Sequence, residues 1–197
     1  PLDVVAEDRL PEASPAWRGT SVPTEETELA ALDVDGVIAL LANWSEPTER
    51  SCDAPTLEGL AGTAGEVIPS RLEEFAPLVD RIVLLRPQIL AAITGGIERA
   101  MRGGQLGNPH LGVQFVLDLA EHLQPTSTDD QPRQVLRDVA GTVTLAANKE
   151  LLEPQAFPRA RSLLRRMLEE EPAGGWNDRS VSEEWDAGLV ALNPLRG

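Results

Sequence analysis

Apolar residues recur along this chain every three or four positions, in runs separated by short polar or Gly/Pro breaks. That period belongs to amphipathic helices. Val34, Val37, Ile38, Leu41 and Trp44 predict a helix from Asp33 or Asp35 to Trp44, with an aspartate as N-cap. After the polar stretch 45–54, a second helix is expected from near Thr56 to about Ile68. A third should run from Ser70 through Asp80, where Pro77 must kink or end it. Pro87 is a first-turn proline opening a helix to about Met101, with Ile89, Leu90, Ile93, Ile97 and Met101 on one stripe and Gly103-Gly104 as its stop. Asn108-Pro109 introduces the next, from about His110 to Leu123, with Leu111, Phe115, Val116, Leu119 and Leu123 inward. A longer helix is expected over about 131–149, burying Val135, Val139, Val143 and Ala146, and a last one over about 156–170 on Ala160, Leu163, Leu164, Met167 and Leu168. Another short helix is conceivable near 183–192.

No persuasive period-two strand interrupts this plan. The runs 82–85 and 143–147 are short and sit inside or beside helical patterns. The expected fold class is therefore all-α, a helical bundle or short α-solenoid of about six to eight helices. Residues 31–197 should form one helical domain, preceded by an extended, linker-like lead-in over 1–30 that Val4, Val5, Leu10 and Trp17 could anchor. No sequence repeat of fixed period is visible, so a tetratricopeptide or ankyrin array is not supported.

Composition sharpens the picture in three ways. Aromatic residues make up only 4% of the 197 residues and tyrosine is absent, so Leu, Val, Ile and Ala must build the core, a mix that suits packed helices. The formal charge is −15 and is uneven: residues 1–80 carry 17 acidic and 4 basic side chains, the remainder 15 and 13. Such a front half repels phosphate backbones, so nucleic acid is not an expected partner. The single cysteine, Cys52, excludes an internal disulfide, and no segment has the roughly 18 apolar residues that span a bilayer. A chain with no signal-peptide pattern is expected in the cytoplasm. With 16 arginines against one lysine, the composition suggests a GC-rich bacterial genome. The missing initial Met and the stop at Asn193-Pro194-Leu195-Arg196-Gly197 suggest a piece of a longer protein.

Candidate chemistry is sparse. Leu32-Asp33-Val34-Asp35-Gly36-Val37 has the look of the first motif of haloacid-dehalogenase-type phosphatases, in which one Asp attacks phosphorus and a second handles the leaving-group proton. That reading needs a buried apolar strand before the motif, and TEETELAA there is polar and helix-prone. The same residues lack the remaining oxygen ligands of a calcium loop. Helix capping by Asp33 or Asp35 is the plainer expectation. His110 and His122, about 18 Å apart along one helix, cannot share a metal. Cys52 has no His or basic cluster nearby, and no nucleophile elbow or phosphate loop occurs. Gly95-Gly96 inside a helical stripe points to close helix–helix approach. Accordingly no catalytic, cofactor-binding or metal-binding residue is assigned. Four candidates for an interface remain. Arg161 and Arg165 share a face of the last helix, although Arg165–Glu169 pairing is a plain alternative. Trp176 and Trp185 stand in an otherwise polar tail, where exposure would mark an interface and packing onto the body would not.

From Asp35 onward the chain resembles the helical, repeat-like C-terminal portion of large uncharacterised bacterial proteins, some NTPase-linked and associated with defence. The resemblance is carried by Asp35-Gly36-Val37-Ile38-Ala39-Leu40-Leu41 with Trp44, by Leu57-Glu58-Gly59-Leu60-Ala61, by the stretch from Ile89 to Ala100, by Val116-Leu117-Asp118-Leu119, and most distinctively by Ala191-Leu192-Asn193-Pro194-Leu195-Arg196-Gly197. It implies a scaffold or sensor arm with no catalytic residues to carry over. The expected function is a non-catalytic scaffold or regulatory domain that binds a protein partner or neighbouring domains of the same polypeptide. A small-molecule-binding helical domain, marked by a pocket with a buried arginine, is the alternative. An enzyme using Asp33 and Asp35 is the third.

Overall fold

A computed structural model of the chain describes residues 26–46, 56–123 and 130–169. Among these residues every regular element is helical, and the fold is an all-α bundle. In order these are α1 (Glu26–Ala31), α2 (Val34–Asn43), α3 (Leu57–Ser70), α4 (Leu72–Phe75), α5 (Val79–Ile82), α6 (Pro87–Arg102), α7 (Pro109–His122), α8 (Asp130–Asn148) and α9 (Phe157–Glu169). Single 3-10 turns lie at Ala76–Leu78 and Pro154–Ala156. No described helix is long and apolar enough to cross a membrane.

The helix starts follow from the local chemistry read above. Asp33 caps α2 by accepting a hydrogen bond from the Gly36 amide at 2.7 Å. Thr56 caps α3 through Gly59 at 3.1 Å, and Asn108 caps α7 through Leu111 at 3.1 Å. Pro87 and Pro109 each sit in a first turn, where a missing N–H costs nothing. Pro77 falls in the 3-10 turn that separates α4 from α5, so the predicted third helix is two short pieces. At the end of α6, Gly104 adopts φ 68°. Its amide and that of Gln105 turn back to Met101 and Ala100 at 3.3 and 2.8 Å, closing a Schellman motif.

Residues 26–30, expected to belong to an extended lead-in, are helical instead, because α1 begins at Glu26. Glu26 and Glu28 favour a first helical turn, and Leu29 is fully buried. A six-residue helix is not stable alone. Burial of one leucine contributes about 1.5–3 kcal/mol. Arg71 closes the other end: its Nη1 donates to the carbonyls of Ala30 and Leu32 at 3.1 and 2.8 Å. Its Nε and Nη2 hold the Glu74 carboxylate at 2.9 and 2.7 Å, and the guanidinium lies 5.5 Å from the Phe75 ring centroid. Tertiary contacts therefore make α1 a helix.

Helix α6 is the hub, packed against α3 on one side and α8 on another, with α7 alongside. Of these neighbours α7 follows α6 directly, whereas α3 and α8 come from further along the chain, so the core is shared among several helices as in a bundle. Ile89, Leu90, Ile93, Ile97 and Met101 of α6 are buried among Leu60, Ile68, Phe75, Val116, Val139 and Val143. The α3–α6 approach is close enough to exclude side chains. A methyl placed on Gly96 would lie 1.9 Å from the Gly65 carbonyl oxygen and 3.0 Å from Pro69 Cγ. One on Gly65 would lie 2.6 Å from the Ala92 carbonyl oxygen. Close helix approach, expected of Gly95-Gly96, belongs to Gly96 alone, because Gly95 meets nothing nearer than Arg99 Nη1 at 3.6 Å.

The C-terminal end of α6 is held from outside. Lys149 Nζ donates to the carbonyls of Met101 and Arg102 at 3.1 and 3.0 Å. Lys149 is positioned by a second Schellman motif, in which Glu150 and Leu151 amides return to Ala147 and Ala146 at 3.2 and 2.9 Å. There the left-handed position is taken by Glu150, at φ 59°, rather than by glycine.

Candidate functional site

The acidic motif at the start of α2 is structural. A strand would have to precede Asp33 for phosphatase chemistry, and α1 stands there instead. The Asp33 carboxylate is occupied as the N-cap, and Asp35 pairs with Arg81 of α5. The histidines lie at opposite ends of α7, as expected. His110 is exposed. His122 sits with Nδ1 2.7 Å from the Asp118 carbonyl oxygen and Nε2 3.0 Å from Asp80 Oδ1. Among the described residues, no group of three His, Cys, Asp or Glu could hold a metal ion. Cys52, Trp176 and Trp185 lie outside the described residues, as does the side chain of Glu169.

Arg161 and Arg165 are brought together, and α9 explains how. Pro154 opens the 3-10 turn that leads into the helix, and Pro158 sits in the helix's first turn. Ala156, Ala160, Leu163, Leu164 and Met167 form the buried stripe against α7 and α8. Pro154, Pro158, Arg161, Ser162 and Arg165 follow on the opposite side at spacings of three and four, with Phe157 at the edge, partly buried against the core. Together with Arg166 they line an open depression of about 780 Å³. Arg165 and Ser162 are exposed, and Arg161 and Phe157 are partly buried. The result is a shallow surface with an apolar floor of two prolines and a phenylalanine, bordered by guanidinium groups. Sequence reasoning found the arginines and missed that floor, although the recurrence of 154, 158, 162 and of 157, 161, 165 carried the signal.

The four arginines of α9 have separate fates. Arg159 turns toward α7 and binds Asp118 at 2.6 Å, Glu121 at 2.6 Å and Gln114 at 3.0 Å. Its hydrogen bond to Glu121, then that to Asp118, hold its pKa above the ordinary arginine value, against the opposing effect of burial. Arg166 Nη2 reaches the Ala120 carbonyl of α7 at 3.3 Å. Arg159 and Arg166 also line a smaller cleft of about 330 Å³ between α7 and α9, with Leu117, Ala120 and Leu163. Arg159 and Arg166 thus reach across to α7, while Arg161 and Arg165 line the open depression.

Neither depression is an enclosed chamber. The polar residues buried among those described are Thr63, Thr94, Thr142 and Thr144, and no arginine is among them. A pocket holding a buried arginine, the feature that would favour a small-molecule site, is not formed by the described residues. One buried-side carboxyl has altered acidity. Asp138 of α8 is pushed up to about 6, first by burial and then by the neighbouring charge of Glu98, with the Gln134 amide bond and Arg137 opposing. No protein-family model, no curated protein and no solved structure matches the chain.

Proposed function

We propose that this chain is a helical scaffold and protein-interaction domain, without a catalytic step of its own, that docks an acidic protein segment on the outward face of α9. The supporting observation is the stripe of Phe157, Arg161 and Arg165 on an open surface of a chain whose formal charge is −15. Arginine beside apolar and aromatic side chains is the composition enriched at protein interfaces. The guanidinium fork favours carboxylates geometrically, and a strongly acidic chain disfavours nucleic acid as the ligand. On this reading the domain serves a larger bacterial protein in the cytoplasm, positioning it against a protein partner or against its own neighbouring domains.

The test is affinity capture from the source lysate with the full chain and with an Arg161→Glu/Arg165→Glu variant, the recovered proteins being identified by mass spectrometry. A protein held by the first and lost by the second is the expected result. Identical recoveries from both would remove α9 as the docking face.

A further inference from the structure

Helix α5 has little apolar burial to hold it. It has four residues, of which Ile82 is buried, so it depends on tertiary anchors. Two adjacent polar side chains reach from it in different directions. Arg81 pairs with Asp35 of α2, and Asp80 Oδ1 lies 3.0 Å from His122 Nε2 at the end of α7. The other ring nitrogen, His122 Nδ1, lies 2.7 Å from the Asp118 carbonyl oxygen. Both partners of the imidazole are therefore acceptors, since neither a carbonyl oxygen nor an ionised carboxylate can donate. A neutral imidazole has one N–H and one lone pair, so it satisfies one contact and sets a lone pair against oxygen at the other. The imidazolium satisfies both. A contact of 2.7 Å has the length of a charge-assisted bond, and the last turn of a helix favours positive charge.

The other charged groups on the helices packed against α7 have contacts of their own or are exposed. Glu74 of α4 is held by Arg71, Glu98 of α6 by Arg102, and Arg159 of α9 by Asp118 and Glu121. Asp138 and Arg137 of α8 both bond Gln134, Arg166 of α9 reaches Ala120, and Glu73 of α4 is exposed. Asp80 is the described carboxylate at the ring.

We infer that His122 and Asp80 form a proton-operated latch, in which the imidazolium fastens α5 to the end of α7 and loss of the ring proton loosens it. Histidine changes charge between about pH 5 and 8. The protonated ring makes both bonds, so the latch holds at the acid end of that range and weakens toward the alkaline end. Arg81 still ties α5 to α2 when the latch opens, which confines the loosening to the α5–α7 seam. Both latch side chains are substantially exposed, so salt screens the pair and the effect is modest.

The experiment is a double-mutant cycle in the full chain, with His122→Gln and Asp80→Asn singly and together, unfolded by denaturant at pH 5.5 and pH 8.0 in low salt. Side-chain exposures of 47% and 78% make both substitutions compatible with folding. The expected coupling between the two positions is roughly two- to fivefold in the folding equilibrium constant at pH 5.5, falling to about unity at pH 8.0. Asp138, raised to about 6, is present in all four chains and cancels. Hydrogen exchange of amides 80–85, corrected for intrinsic rates, should show α5 opening more readily at pH 8.0 by a similar factor. His122→Gln should remove that difference, and His110→Gln, at the exposed far end of α7, should preserve it. Coupling of equal size at both pH values overturns the inference, and so does coupling at neither. Coupling with no change in exchange at 80–85 overturns it as well, because the pair would then not hold α5.

Discussion

Replacing Gly96 by alanine should be among the most damaging conservative changes available to this bundle, and replacing its neighbour Gly95 should help it. The added methyl at position 96 would sit 1.9 Å from the Gly65 carbonyl oxygen and 2.9 Å from the Gly65 carbonyl carbon. Non-bonded carbon contacts settle near 3.5 Å, so α3 and α6 would have to separate by about 1.5 Å along that line. Both colliding groups are helix backbone, so no rotamer change relieves the overlap. Overpacking usually costs about 1–3 kcal/mol. A backbone collision at the hub helix belongs at the upper end or beyond, so a net loss of about 3 kcal/mol is expected even after a helix-propensity gain of about 1 kcal/mol. Urea unfolding followed by far-ultraviolet circular dichroism measures this. With a slope near 2 kcal/mol/M, the midpoint should fall by about 1.5 M. Gly95→Ala meets only the far end of Arg99, 3.6 Å away, and should gain up to about 1 kcal/mol. The reasoning is refuted if Gly96→Ala unfolds within about 0.5 kcal/mol of the parent, the scatter ordinary surface changes show, or if both variants move in the same direction.

Two further outcomes follow from α8. Glu150 holds φ 59° in the Schellman motif, where glycine carries no Cβ penalty, so Glu150→Gly should raise stability by about 0.5–1 kcal/mol, read as a higher thermal midpoint. Asp138 has a folded-state pKa raised to about 6 by burial, so the folded chain binds its proton more tightly than the unfolded chain does. Its contribution is most favourable below the ordinary aspartate range and is lost as pH rises through about 6. Asp138→Asn should therefore stabilise the chain above that pH and flatten this part of the stability–pH profile, as denaturant titrations at pH 4, 5, 6 and 7 would record; an unchanged profile would show that the carboxyl is well solvated.

Most helix limits were legible because their causes are local. Asp33, Thr56, Asn108, Pro87 and Gly104 act on amides within one turn of themselves, so a window of a few residues contains the whole argument. Helix α1 was hidden because its stability comes from elsewhere: a single buried leucine and the Arg71 side chain, some forty positions downstream. The α3–α6 contact was half legible. The pattern marks Gly95-Gly96 for close helix approach, but nothing in one helix says that Gly96 is the one that packs or that Gly65 stands opposite. On α9 the shared face of Arg161 and Arg165 follows from helical spacing, whereas the diversion of Arg159 to Asp118 and Glu121 depends on where α7 lies. The strand that the phosphatase-like motif needs does not precede Asp33, where α1 stands, in keeping with a charged, helix-prone lead-in.

The clamp at the end of α6 carries the chain's single side-chain amine. Lys149 is the chain's one lysine, so its ammonium is the one side-chain amine that acylating reagents or enzymes can address. Acylation there would abolish the charge at the last carbonyls of the hub helix and displace both hydrogen bonds to Met101 and Arg102 in one covalent event. Arg71, which closes α1 by the same device, is inert to that chemistry. A lysine-directed cross-linker or dye would accordingly read out one junction of the bundle, the place where α8 fastens α6.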